Sequence, residues 1–200
     1  MDFVNNKIII LSGVAVFYLV CNPSIYAQKE KNIFETLNIN LNFVFNTNRN
    51  TFHRYWEGDE GIEALVESPF YHGNIQSGIH ISQYSAKQPD IPGFSSMFFY
   101  LGWGKGVIHS LNLTWSNGFR VGMFFMYFDE KETNKDSKRE NELGFGINSR
   151  LQYKLKKNWF INLSGYYRVI FTRKRIYHTY IAIGSGYSFT TPKWLRELLE

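Results

Sequence analysis

The chain has 200 residues, of which 44% are hydrophobic and 18% aromatic, and it carries a formal net charge of +5. This length allows one ordinary domain rather than two, and a single cysteine excludes an intramolecular disulfide framework. The cations are spread along the chain without a nucleic-acid-binding motif, so we expect anionic lipid or polysaccharide as partner and no nucleic acid.

Residues 1–27 have the layout of a secretory signal peptide. Lys7 precedes an apolar run over residues 8–20, an Asn-Pro pair ends the run, and cleavage is expected after Ala27. The run is shorter than the about 20 apolar residues that a membrane-spanning helix needs. A retained anchor and a lipid attached to Cys21 are the alternatives. Cleavage removes one acid and one base, so the net charge stays at +5.

The mature part, residues 28–200, alternates apolar and polar residues from Phe34 to Phe189. In residues 36–46, for example, leucine, isoleucine and phenylalanine alternate mostly with asparagine. This period of two predicts strands with one apolar and one polar face. The pattern divides into eight segments, at about residues 34–46, 68–86, 95–104, 107–115, 119–129, 142–155, 158–172 and 176–189.

The length of these segments and the placement of aromatic residues favour a transmembrane barrel. Several segments reach the about 9–11 residues of a tilted membrane strand, beyond the about 5–6 of soluble strands. Aromatic residues on the apolar face collect near segment ends, as in the girdles of barrels in lipid. One expected girdle contains Phe45, Trp103, Tyr127, Phe171 and Tyr177, and the other contains Trp115, Phe119, Tyr153, Trp159, Tyr187 and Phe189.

The connections agree with an up-and-down barrel whose N-terminus lies in the periplasm. Residues 116–118 contain the hairpin signal Asn117-Gly118, and long polar connections at residues 47–67 and 130–141 then lie outside. Gly104 and Gly106 separate the third and fourth segments; if these two segments form one bent strand, the strand count becomes odd. The remaining periplasmic turns are expected at residues 87–94 and 156–158.

The last segment, Gly184-Ser185-Gly186-Tyr187-Ser188-Phe189, resembles the C-terminal β-signal of outer-membrane proteins. That resemblance implies the barrel-assembly machinery as a partner during biogenesis. The whole mature chain resembles the small eight-stranded outer-membrane barrels, whose roles include adhesion, structural support and lipid modification. We therefore expect an all-β, closed antiparallel up-and-down transmembrane barrel in the cell outer membrane, in contact with its lipid and lipopolysaccharide.

The polar faces predict a lumen rich in charged and amide side chains. The candidates for binding a ligand there are Arg120, Arg150, Arg168, Tyr166 and His178. An eight-stranded barrel is about wide enough to be filled by side chains or to hold one small ligand. The expected inward acids, Glu35 and Glu142, are too few for these cations. The missing charge can come from water and chloride, from loop carboxylates that fold inward, or from an anionic ligand.

His80 and Ser82 place an imidazole and a hydroxyl on one inward face, the pair that a serine hydrolase uses with a carboxylate. The pair faintly resembles the His-x-Ser element of outer-membrane lipid A deacylases. The predicted direction of the 68–86 strand, however, puts it toward the periplasm, away from the outer leaflet. A lipid-modifying acyl hydrolase or acyltransferase would instead need His72 or His178 to meet a carboxylate near the external rim.

Two further segments are candidates for contacts. In the first external loop, Arg54, Tyr55 and Trp56 combine charge with aromatic rings, a mixture that suits sugars or proteins. Residues 191–199 predict a short C-terminal helix whose apolar face lies on the membrane interface. The five histidines lack ligand spacing, so neither a metal site nor a cofactor is expected.

The function favoured by the sequence is structural or interactive, carried out by a monomeric barrel whose ligand is unknown. Two alternatives stay open. One is a lipid-modifying enzyme of the outer membrane, and the other is a narrow pore or carrier of a small ligand, which needs a continuous lumen.

Overall fold

The computed structural model describes residues 33–129 and 139–199 and contains a closed barrel of eight antiparallel strands. Each strand pairs with its neighbours in sequence, and β8 pairs with β1, so the predicted fold class is confirmed. The predicted signal peptide lies outside the described residues. The strands are β1 Thr36–Asn46, β2 Trp56–Phe70, β3 Gly73–Ala86, β4 Phe94–His109, β5 Leu113–Phe128, β6 Arg139–Lys154, β7 Trp159–Ile170 and β8 Ile176–Thr190.

The predicted count of eight is correct, but two errors behind it cancel. Residues 47–67, expected as a loop, contain most of β2, because its acidic residues obscure the apolar pattern. Residues 68–86, expected as one strand, contain the end of β2, a tight turn and β3. The segments 95–104 and 107–115 were expected as two strands, but β4 contains all of the first and the start of the second, and the end of the second belongs to β5.

The hairpin expected at Asn117-Gly118 is wrong, because both residues lie inside β5. Gly118 faces the lumen opposite Gly104 of β4. A Cβ atom at Gly118 would lie 2.7 Å from the carbonyl oxygen of Trp103. This glycine therefore permits the close approach of two strands, and the chain turns instead at residues 110–112.

The two ends of the barrel differ in the length of their connections. One end carries both described ends of the chain and short turns, whereas the other end carries the longer connections. Outer-membrane barrels have short periplasmic turns and longer external loops, which assigns the second end to the outside. The short turns are residues 71–72, 110–112 and 155–158, and the external connections within the described residues are 47–55, 87–93 and 171–175.

In the corrected strand order, β3 and β4 each run in the direction opposite to the one expected. His80 and Ser82 lie in the second half of β3 and hence toward the external end, not toward the periplasm as expected. His72 lies in the periplasmic turn before β3. Trp103, expected in the same girdle as Phe45 and Phe171, instead packs near Phe119 toward the periplasmic end, with ring centroids 6.4 Å apart. The directions of β1 and of β5 to β8 agree with the prediction.

Large apolar side chains cover the outer face of the barrel and stay exposed. Leu41, Phe99 and Leu163, for example, are more than half exposed, although they lie in the middle of strands. The inward residues on the same strands are mostly buried and often polar. An apolar outside around a polar inside requires a lipid environment, since water would not tolerate so large an apolar band.

A short helix, α1, spans Lys193–Leu199 after β8. The Thr191 N–H donates to the Glu35 carbonyl oxygen at 3.0 Å, which holds the start of this segment against the barrel rim. Trp194 and Leu198 stay exposed. The helix is therefore confirmed, and its place on the membrane interface stays a prediction. No helix within residues 33–129 and 139–199 is long and apolar enough to cross a bilayer.

Candidate functional site

The inward side chains form the candidate site, because alternate residues of every strand point into the lumen. Glycines on β4 and β5 leave room for the largest of them. Gly102 lies opposite Arg120, and Gly122 lies opposite Tyr100. Because a glycine lies opposite each of these long side chains, a narrow barrel of eight strands has room for guanidinium groups at its centre.

A buried carboxylate, Glu63 of β2, is the centre of the lumen. Its Oε1 accepts hydrogen bonds from Arg120 Nη1 at 2.6 Å and from the Tyr100 hydroxyl at 2.8 Å. Its Oε2 accepts from Asn42 Nδ2 and from the Tyr166 hydroxyl, both at 2.8 Å. Four donors from four different strands satisfy this carboxylate, which offsets the cost of burying its charge.

Arg120, one of the predicted lumen residues, is held between two aromatic rings. Its guanidinium carbon lies 4.5 Å from the ring centroid of Tyr100 and 4.4 Å from that of Tyr166. Cation–π contacts of this kind replace part of the lost hydration of a buried guanidinium. Arg120 and Tyr166 therefore act together with Glu63 as one packed unit.

A second ion pair lies nearer the periplasm. Arg150 Nη2 contacts Glu67 Oε2 at 2.5 Å, and Gln76 Nε2 donates to the same oxygen at 3.2 Å. Both charged groups are nearly fully buried. Of the expected sources of counter-charge, inward carboxylates are present, although they come from β2 rather than from a loop.

Arg168 differs from the other two buried arginines, because it forms no ion pair within the described part of the chain. Its Nη2 donates to His80 Nδ1 at 3.0 Å. Its guanidinium carbon lies 3.9 Å from the ring centroid of Phe98 and 5.2 Å from that of Tyr180. Aromatic faces and one imidazole nitrogen thus hold this cation in place of a carboxylate.

The contact from Arg168 also decides what His80 and Ser82 can do. Their side chains are buried, with Ser82 Oγ 2.7 Å from His80 Nε2. Arginine has only donors, so His80 Nδ1 must accept and the proton of the neutral imidazole must lie on Nε2. In this tautomer His80 donates to Ser82, whereas a general base has to accept the serine proton. The geometry therefore favours a structural hydrogen bond over an activated nucleophile.

The two histidines of the enzyme alternative do not converge. His72 lies in the periplasmic turn, and His178 is fully buried near the external end. Within the described residues, neither ring nitrogen of His178 has a hydrogen-bond partner. The ring of His178 is packed between aromatic rings instead, at centroid distances of 4.8 Å from Phe52 and 5.5 Å from Tyr84.

These rings belong to an aromatic plug that fills the external half of the lumen. At its top lies Phe52, from a short 3-10 helix at Thr51–Arg54 in the first external connection. The Phe52 N–H donates to Asn50 Oδ1 at 3.0 Å, and Asn50 Nδ2 donates to the Tyr177 carbonyl oxygen at 2.6 Å. This cap fixes the ring over the barrel mouth. We define the plug as Phe52, Trp56, Tyr84, Phe94, Phe98, Phe124, His178 and Tyr180.

The three loop candidates separate into two groups. Trp56 packs into the plug, with its indole N–H donating to the Pro92 carbonyl oxygen at 2.9 Å. Arg54 and Tyr55 are exposed on the external surface. The Lys87 N–H donates to the Tyr55 carbonyl oxygen at 2.9 Å, which joins the first and second external connections. We call residues 53–55 and 87–92 the external platform.

Sequence reasoning missed Glu63, Glu67, Phe52 and Tyr100 as members of the site. The first two were hidden in the expected loop. A signal for them exists, because Ile62, Ala64 and Val66 alternate with Gly61, Glu63, Leu65 and Glu67. This pattern predicts a strand in a barrel with a polar interior, because acidic side chains can point inward there. It would not predict a strand in a soluble protein, whose apolar core would not accommodate inward acids.

Comparisons with known proteins identify the fold. No protein-family model matches the sequence, and no curated protein matches it in sequence. Among solved structures, Neisserial surface protein A superposes with a TM-score of 0.56 at 8% identity, covering 82% of this chain and 100% of that one. The β-barrel domain of Pseudomonas aeruginosa OprF gives a TM-score of 0.50 at 12% identity, covering 79% and 100%. Yersinia pestis Ail in a phospholipid nanodisc gives 0.51 at 12% identity, covering 78% and 99%.

These identities are too low to carry over an activity, but the shared architecture is that of small outer-membrane barrels. The exposed apolar belt independently requires a membrane, and closed barrels avoid unpaired strand edges in lipid. The chain is therefore an eight-stranded β-barrel protein of the outer membrane.

Proposed function

We propose that the protein acts through its external surface, as a sealed barrel with a structural and contact-making role. The observation that carries this proposal is the filled external half of the lumen. Phe98 and Phe124 are fully buried beneath Phe52, and Arg168 is enclosed by rings. In a barrel closed in this way, the external rim is the surface that partners can reach, and the contacts in the interior stabilise the fold.

The pore or carrier alternative needs a continuous passage. Along the barrel axis, a solute would have to displace the plug and then the Glu63–Arg120 pair. Breaking a buried ion pair costs about 3–5 kcal/mol, which makes spontaneous opening rare. We therefore expect no steady conductance.

The external platform is the best candidate for contact with a surface partner. Arg54 and Tyr55 are exposed there, and the hydrogen bond from Lys87 to Tyr55 fixes the backbone beneath them. A rigid aromatic side chain beside a guanidinium suits sugars and proteins, because little conformational entropy is lost on binding.

Two measurements test this proposal. Wild-type protein in planar bilayers is expected to give no discrete current steps, and cells displaying it are expected to adhere to surfaces coated with glycans or host proteins. Adhesion should fall in the R54A/Y55A variant and persist in K156Q/K157Q, which changes the periplasmic end. Reproducible current steps, or equal adhesion by the wild type and both variants, would contradict the proposed role.

We further infer that the chain inserts as a monomer with the help of the barrel-assembly machinery. The residues that resemble the β-signal, 184–189, lie near the periplasmic end of β8, where this strand pairs with β1 to close the barrel. Substituting Phe189 by Ala should slow insertion into assembly-proficient membranes more than insertion into pure lipid, measured by heat-modifiable migration on gels.

A further inference from the structure

Four cations gather on one side of the external rim. Three of them, Arg173, Lys174 and Arg175, are consecutive in the β7–β8 connection. The fourth, Arg49, lies in the first external connection, whose backbone runs beside the start of β8. Asn50 Nδ2 donates to the Tyr177 carbonyl oxygen, and the Thr179 N–H donates to Asn48 Oδ1 at 2.6 Å. We call these four residues the basic cluster.

Within the part of the chain that the structure describes, the basic cluster has no partner. All four side chains are exposed, and none forms an ion pair or a hydrogen bond with another described residue. The acids of β2 at the same end turn toward β3 instead. Asp59 accepts from Ser85 Oγ at 2.9 Å, and Glu57 lies 3.7 Å from Lys87 Nζ.

Aromatic side chains lie just below the basic cluster on the lipid-facing surface. Tyr167, Phe171 and Tyr177 point outward and are exposed. The rings of Tyr167 and Tyr177 stack with centroids 6.3 Å apart. Aromatic residues of this kind sit at the boundary between hydrocarbon and head groups. The four cations are therefore at the level of the head groups of the outer leaflet.

We propose that the basic cluster binds the phosphate groups of the phosphorylated glycolipid that forms the outer leaflet, with the aromatic residues below it contacting the sugar and the start of the acyl chains. Arginine matches phosphate oxygens with paired donors, and lysine adds a point charge. A lipid rather than a soluble anion fits, because the cations stand directly above lipid-facing rings. The inference rests on the outer-membrane placement and needs no activity of the external platform.

The test uses the full-length protein, folded in nanodiscs, with fluorescent lipid A as the probe. The variant R49Q/R173Q/K174Q/R175Q removes the basic cluster. The matched control K154Q/K156Q/K157Q/K193Q removes four exposed cations from the periplasmic end and gives the same net charge. Heat-modifiable migration on gels verifies that each variant is folded before binding is measured.

We expect the external variant to bind lipid A roughly tenfold or more weakly than the wild type, and the periplasmic variant to bind as the wild type does. Dephosphorylated lipid A should bind the wild type as weakly as lipid A binds the external variant. Millimolar inorganic phosphate should not compete. Equal losses in both variants, or equal binding of the phosphorylated and dephosphorylated lipids, would overturn the proposal. Adhesion through the platform would then stand or fall separately.

Discussion

Glu63 and Arg120 meet at the centre of the barrel, with Arg120 Nη1 2.6 Å from Glu63 Oε1 and both side chains almost fully buried. They come from β2 and β5, on different sides of the lumen. Tyr100 and Tyr166 donate to the same carboxylate and also cover the two faces of the guanidinium. The pair and the two tyrosines therefore join separate walls of the barrel across the lumen at this level.

Glu63→Gln is expected to destabilise the folded barrel by about 3–5 kcal/mol, because it leaves the Arg120 cation buried without its counter-charge. The shape of the side chain is kept, so lost packing contributes little. Urea unfolding of the protein in lipid vesicles, followed by tryptophan fluorescence, measures this change.

The matched control is Glu60→Gln, which removes an exposed acid from the same strand. Its effect should stay within about 0.5 kcal/mol. A similar, small effect of both substitutions would mean that water or an ion replaces Glu63 at no cost.

The sequence predicts the class of fold well because two physical constraints act at once. Lipid favours apolar residues at outward positions, and the strand period of two then places most of the polar residues inside. Strands such as β1 and β7 carry this pattern clearly, with Leu41 and Leu163 outward and Asn42 and Asn162 inward. Their bounds agree with the prediction to within a few residues.

The same constraints fail at β2 and at the β4–β5 hairpin. Glu57, Asp59 and Glu60 extend above the membrane on β2, so this strand begins like a polar loop. On β5, Asn117-Gly118 reads as a turn, whereas Gly118 is needed where β4 comes close. Glycine is favoured both in a tight turn and where two strands approach closely in a narrow lumen. A glycine in the sequence therefore does not show which of these two causes applies.

The candidate site was predictable only in part. The period of two along the strands predicted that five side chains point into the lumen, and all five lie there: Arg120, Arg150, Arg168, Tyr166 and His178. Their partners were not found, because ion pairs in a barrel join strands that are distant in sequence. Glu67 and Arg150, for example, are 83 residues apart.

Phe52→Ala is expected to lower the free energy of unfolding by about 3 kcal/mol, because the ring is buried in the plug on four neighbouring rings. The variant should nevertheless show no current steps in planar bilayers, since Phe94, Phe98 and Phe124 still fill the lumen beneath. Tyr55→Ala, an exposed neighbour, is the control and should change stability by about 0.5 kcal/mol or less. A conducting F52A variant would show that one ring alone closes the barrel.

Ser82 is expected to be unreactive toward a fluorophosphonate probe in the folded protein, because His80 donates to its hydroxyl and Arg168 holds that tautomer. Mass spectrometry of the intact protein measures labelling. Ser82→Ala should cost about 1 kcal/mol of stability, the value of one hydrogen bond. Labelling of the wild type that disappears in S82A would instead revive the acyl hydrolase alternative.

Two glycines give a paired test of the packing. Gly122 faces the lumen, and a Cβ atom there would lie 2.0 Å from the Phe99 carbonyl oxygen, so Gly122→Ala must displace backbone. We expect it to lose about 1–3 kcal/mol of stability. Gly165 lies on the outer face, in a shallow groove beside Leu163 and Ile181, where a Cβ atom would meet nothing within 4 Å.

Gly165→Ala is expected to be neutral or to stabilise the barrel by about 0.5–1 kcal/mol, because alanine reduces the freedom of the unfolded chain without a clash. Urea unfolding in the same vesicles compares the two variants directly. If G165A destabilised the barrel as much as G122A, the outer groove would have to be occupied by a closely packed group, and the lipid-facing surface at β7 would be a site of specific contact.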